Sequence, residues 1–189
     1  MALNCSLLGS ALALDCSNPP LGGLESFVYL FNLEDKVSAP IVGSGDNTVS
    51  TITLAATKLA YKWQGGTDFI LGTYDLRTGR VLNGFGHTVQ LTVPEDDQDA
   101  LTEIKNLANG RVVAVVVKRG FAENTFRIYG LQHGLEVSEV AGDESNTDNA
   151  GLPLITLATP DGYKEPLPPQ HMLDTDYATT LAILEGLLT

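Results

Sequence analysis

Apolar and polar positions alternate with a period of two along much of this chain. The alternating runs are short and are cut by Gly, Pro and Asn, the punctuation of β-structure. Phe27–Leu33 reads as a first strand. Asn47–Ala56 follows, with Val49 and Ile52 breaking strict alternation and inviting a bulge. Leu59–Trp63 and Asp68–Asp75 flank the turn signal Gly65-Gly66. Arg80–Val93 is the longest candidate, with Val81, Phe85, Val89, Leu91 and Val93 on odd positions and therefore on one face. Val112–Val117 is apolar without interruption and rich in β-branched residues, which predicts a strand covered on both faces. Thr125–Tyr129, Leu135–Val140 and Leu154–Ala158 complete the set.

The period changes to a helical one in two places. From Pro94 to Asn109, Ala100, Leu101, Ile104, Leu107 and Ala108 form an apolar stripe. Pro94 is expected to start this helix, with Glu95, Asp96, Asp97 and Asp99 opposing the positive end of its dipole and Gly110 as its C-terminal cap. After Asp174, expected as a cap, Tyr177, Leu181, Leu184 and Leu188 share one face of a terminal helix. Strands in series with isolated helices exclude a doubly wound βαβ fold. The expected class is mainly β: a sandwich or barrel of about eight to ten strands, with one inserted helix at about 94–109 and a C-terminal helix. Residues 1–25 read as an N-terminal arm, 26–163 as the β-rich core, and 164–189 as a linker punctuated by Pro166, Pro168 and Pro169 followed by the helix. An apolar segment set apart from its own core seeks another surface, so the arm or the tail is expected to contact a neighbouring subunit.

Composition narrows the function. At 189 residues and 43% hydrophobic content the chain can bury one real core. Its net charge of -12 argues against binding nucleic acid through phosphates. No apolar run approaches the roughly 20 residues of a membrane span. Leu7–Leu14 ends near Cys16, but no Lys or Arg precedes Lys36 and Asp15 adjoins the cysteine, so an export signal is not expected. Cys5 and Cys16 make no disulfide framework, and whether they pair is open. His87, His133 and His171 are too scattered for a metal site; His87 and His133 are expected near turns, in structural roles. Gly43-Ser44-Gly45-Asp46 is not followed by a helix, which removes a phosphate loop. Asp143, Glu144 and Asp148 are weak candidates for calcium, since they lack the glycine and terminal glutamate of a calcium loop. Trp63 reads as a core or interface aromatic. No catalytic signature occurs, and neither an enzymatic role nor a cofactor is expected.

Several pieces recur in a suggestive order. Asp15-Cys16 precedes Gly22-Gly23, then come F-V-Y-L and the Asn83-Gly84 strand. A helix ending N-L-A-N-G-R, the run V-V-A-V-V-V, the pair Y-G and H-G-L, and a Pro-rich end follow. This order resembles a family of small virion structural proteins encoded by phages and prophages of Bacteroidetes, similar in design to tail-tube subunits. The resemblance implies a β-sandwich or barrel that closes into rings through its neighbours, with the inserted helix packed on the sheet. It implies no catalytic residues, a homo-oligomer expected to be hexameric, contacts with other virion proteins, and a place in the virion after assembly in the host cytoplasm. Neither sequence-specific nucleic-acid binding nor a membrane partner is expected. The residues expected to build the core and the assembly are Val112, Val115, Val117, Leu101, Ile104 and Leu107. The competing expectation is a soluble β-sandwich binding or adhesion module, stabilised by calcium held in the Gly142–Gly151 loop.

Overall fold

The computed structural model describes residues 22–39, 47–66, 69–79, 82–120, 125–147 and 150–189. Strand β1 (Leu24–Asn32) leads through a 3-10 turn (Leu33–Asp35) into β2 (Lys36–Ser38). Two two-residue strands, β3 (Thr48–Val49) and β4 (Thr53–Leu54), precede β5 (Tyr61–Gln64), β6 (Ile70–Arg77) and β7 (Gly84–Thr92). Helix α1 (Gln98–Leu107) is inserted before β8 (Val112–Lys118) and β9 (Phe126–Tyr129). Then come β10 (Glu136–Ala141), β11 (Leu154–Ala158), β12 (Gln170–Met172) and helix α2 (Tyr177–Gly186). The chain is mainly β and sandwich-like, as its alternation predicts.

Six strands in the order β3-β12-β9-β8-β1-β5 form one sheet, and four in the order β10-β11-β7-β6 form a second. β2 and β4 make a separate pair. Strand β8 is central and its two faces serve two cores. Val112, Ala114 and Val116 pack between the sheets with Val28, Leu30, Val89, Leu91, Ile155 and Leu157. Val113, Val115 and Val117 face the other way, onto Tyr29, Phe31, Phe126, Met172 and Leu184. The uninterrupted apolar run thus belongs to a strand covered twice, by the four-stranded sheet on one side and by α2 on the other.

The turn between β9 and β10 depends on two glycines. Gly130 and Gly134 lie at φ +71° and +75°, where L side chains are strained. A Cβ on Gly130 would also sit 2.7 Å from Leu135 Cγ. This is why Y-G and H-G-L occur as a pair around a three-residue turn.

Several expectations are corrected. Helix α1 begins at Gln98, not Pro94: Asp97 is the cap, its carboxylate accepting the Ala100 N–H at 2.8 Å, and the helix ends on Ala108 rather than on Gly110. Leu101 does not pack on the sheets and is 55% exposed, whereas Ala100, Ile104 and Leu107 lie half-buried against the inter-sheet core. Asp176, not Asp174, caps α2, accepting the Thr179 N–H at 2.7 Å. Asn47–Ala56 is two short strands in different sheets rather than one bulged strand. The tail is not a linker set apart from a core ending at 163. Its β12 lies inside the six-stranded sheet and Leu184 of α2 is fully buried, so this segment covers its own domain. Most of the expected N-terminal arm, with Cys5 and Cys16, lies outside the described residues.

These positions set the first prediction. Ile104→Ala should cost about 1–3 kcal/mol and Leu101→Ala less than about 0.5 kcal/mol, read as shifts in urea midpoint. Equal losses at both sites would mean that α1 docks through a different face.

Candidate assembly edges and a buried polar seam

Among the described residues the four-stranded sheet ends on β6, an eight-residue strand with no bulge, proline or lysine along it. The Thr92 N–H donates to the Phe69 carbonyl at 3.0 Å, which fixes the phase of the β6–β7 ladder. By alternation, Leu71, Thr73, Asp75 and Arg77 bond to β7, while Ile70, Gly72, Tyr74 and Leu76 direct their N–H and C=O groups away from it. Apolar side chains accompany this open ladder: Leu71, Tyr74 and Leu76 are 53%, 57% and 58% exposed, and Leu82 nearby is 69% exposed. An edge of this length and character is a template for another strand.

The other edges are shorter, and the longest of them, β10, carries charge. β10 carries Glu136 and Glu139, and its register with β11 shifts between Val137 and Glu139. β5 carries Lys62, whose ammonium lies over the Phe27 and Tyr29 rings and bonds Glu185 Oε1 at 2.7 Å. β3 is two residues long. Trp63 sits on β5, half-buried against the inter-sheet core, and lines a groove of about 280 Å³ beside α1 with Tyr61 and Leu107.

The residues expected to assemble the protein divide differently. Val112, Val115 and Val117 are 0–4% exposed at the centre of the sheet and can only be core. Ile104 and Leu107 are core margin, and Leu101 alone of the helix set reaches solvent. The β6 positions were missed, because Asp68–Asp75 carries no sign of which strand has a neighbour on one side only.

A second feature that spacing did not reveal is a buried polar seam, beside a cavity of about 240 Å³ that Lys36, His87, Glu165 and Gln170 help to line. His87 is not at a turn; it lies within β7, 2% exposed. Its Nδ1 accepts the Gly130 N–H at 3.1 Å, and its Nε2 lies 3.0 Å from the Leu167 carbonyl. These partners require the neutral tautomer with the proton on Nε2. Glu165, 3% exposed, accepts the N–H groups of Gln132 and His133 at 3.1 and 2.8 Å. Lys36 donates to the Leu131 carbonyl, and burial holds its ammonium below the usual range against the opposing pull of Glu165. The hydrogen-bond partners of His87, Glu165 and Lys36 named here are backbone groups, and they tie the Pro-rich segment and the β9–β10 turn to β7. His133 does lie in that turn, its ring 5.3 Å from the Tyr163 ring.

The calcium candidates do not converge. Asp143 accepts the backbone N–H and the hydroxyl of Ser145 at 3.0 and 2.6 Å, Glu144 is exposed, and Asp148 lies outside the described residues. Among the described residues no group of three or more His, Cys, Asp or Glu is placed to hold a metal ion. Nor is any helix among them long and apolar enough to cross a membrane.

The seam gives a pH prediction. Burial, only partly offset by the Leu167 carbonyl and the Asp75 charge, pushes the His87 pKa down to about 4. The folded state therefore binds a proton less readily than the unfolded state, whose histidine titrates near about 6.5. Stability is full above that value and falls as pH drops from about 6.5 toward about 4, by at most about 3 kcal/mol from this group. His171, also pushed down to about 4 by burial and by Arg127 and Lys118, adds a loss of the same sign. Urea midpoints at pH 7 and 5 should differ in the wild type and differ less in His87→Gln. A wild-type midpoint that does not move over that interval would show the seam accepts a proton freely.

Comparisons of this chain with protein-family models, with curated proteins and with solved structures return no match.

Proposed function

We propose that this protein is a non-enzymatic structural subunit of a phage virion that assembles with copies of itself into rings or a tube. The observation that carries the reading is the open, apolar β6 edge with Leu71, Tyr74 and Leu76. An edge strand left so long and open in a soluble monomer is an aggregation hazard, and adding a neighbour's strand removes it. The virion setting is supported by the resemblance of the ordered block from Asn83-Gly84 to H-G-L. It also agrees with the net charge of -12, since a lumen that conducts DNA benefits from a wall to which phosphates do not adhere.

Solution mass together with negative-stain microscopy tests the reading. Closed rings or stacked tubes are expected. A monomer at all concentrations, stabilised by calcium, would favour the binding-module alternative instead.

A further inference from the structure

The four-stranded sheet is antiparallel throughout, so its two edges, β6 and β10, run in opposite directions. Rotating a copy about an axis roughly along the strands preserves strand direction. It then brings β10 of one copy against β6 of the next as another antiparallel pair, continuing the alternation already present. In any such register the C-terminal end of β10, at Ala141, meets the N-terminal end of β6, at Ile70.

What lies at those two ends is complementary. Beside the Ile70 end of β6 is an open cleft of about 480 Å³, lined in part by Gly72, Tyr74, Lys118, Arg127 and Tyr129. Lys118 and Arg127 share a face of the six-stranded sheet, since Arg127 registers with Val116 and Lys118 is two residues further along. In this strongly acidic chain, neither forms an ion pair among the described residues; the four ion pairs present use Lys58, Lys62, Arg77 and Arg111. Beside burial, the positive charges of Arg127 and Lys118 oppose protonation of neighbouring His171. At the other edge, the chain leaving Ala141 carries Asp143 and Glu144, both exposed.

We propose that the cleft beside β6 receives the acidic Gly142–Glu144 segment of the next subunit, pairing Lys118 and Arg127 with its Asp143 and Glu144. This rests on the assembly reading above and specifies its partner surface. The pairing orients addition head to tail, since two β10 edges carry like charge and repel.

The test is charge reversal on the full chain, read by sedimentation and mass photometry at about 50 and about 500 mM salt. Lys118→Glu with Arg127→Glu should raise the concentration needed for assembly by about tenfold or more at low salt. Asp143→Lys with Glu144→Lys, on an exposed loop that does not threaten folding, should give the same defect. Combining all four should restore assembly. If Leu76→Pro abolishes assembly but the reversals leave it unchanged, the edge reading stands and the electrostatic pairing falls. Failure of the fourfold variant to recover, or assembly that stops at a two-fold dimer, also overturns the pairing. Absence of assembly in the wild type sinks both readings together.

Discussion

A proline at Val115 should abolish folding, whereas a proline at Leu76 should leave a folded protein that no longer assembles. Val115 lies on β8 between β1 and β9, in register with Tyr29 and Ile128, and its side chain is fully buried. Proline there removes a ladder hydrogen bond and clashes within a packed sheet, at a cost of about 3 kcal/mol or more before the lost valine packing is counted. That approaches the whole stability of an ordinary domain, roughly 5–15 kcal/mol. Leu76 differs in every respect: its N–H faces away from β7, its side chain is mostly exposed, and Asp75 before it is already extended. Proline is tolerated at such edge positions because no bond is lost within the subunit, while a bond to an added strand becomes impossible. Circular dichroism and solution mass on the two variants separate the cases. If Leu76→Pro folds and assembles as the wild type does, β6 is not the pairing edge.

Much of the fold was legible because burial on both faces leaves a direct mark on composition. The run Val112–Val117 has no polar residue, and two cores are found against it. Parity in β7 was equally informative and was underused. The odd positions that place Val89 and Leu91 inward place His87 inward as well, and a histidine on a core face needs two partners. Those partners, Gly130 and Leu167, are 43 and 80 residues away, and no local spacing announces them. The Pro-rich segment misled for a related reason. Pro166, Pro168 and Pro169 exclude a long element, yet a three-residue strand fits directly after them, paired to β9 and β3. Edges are the least legible property of all, since a free edge is set by which strands lie beside it. Leu71, Tyr74 and Leu76 would read the same in a sheet centre.

The tail helix should prove indispensable to the fold. Leu184→Ala should cost about 2–5 kcal/mol, because the residue is fully enclosed and the cavity left cannot collapse against a sheet. Around it, the Tyr177 ring stacks on Phe126 with centroids 5.2 Å apart, and Leu181, Ile183, Leu187 and Leu188 rest on the same core. Polar bonds secure the far end. The Ala60 N–H donates to the Leu187 carbonyl at 2.8 Å, and the Tyr29 hydroxyl donates to Glu185 Oε1 at 2.5 Å. Hydrogen bonds from Lys62 and Tyr29 hold the Glu185 carboxyl below its ordinary range. Its contribution is therefore present above the unfolded carboxylate pKa and is lost as pH falls through the folded one. Removing residues 174–189 would bare the face of Tyr29, Phe31, Val113, Val115 and Val117, an apolar surface a soluble monomer does not tolerate. Truncation is expected to give aggregated or unfolded chain, while Ala182→Lys on the exposed side of the helix should shift stability by less than about 0.5 kcal/mol. Urea denaturation and the yield of soluble protein measure both. A truncated chain that stays soluble with unchanged strand content, beside a Leu184→Ala loss under about 1 kcal/mol, would return the tail to the role of an arm for a neighbouring subunit.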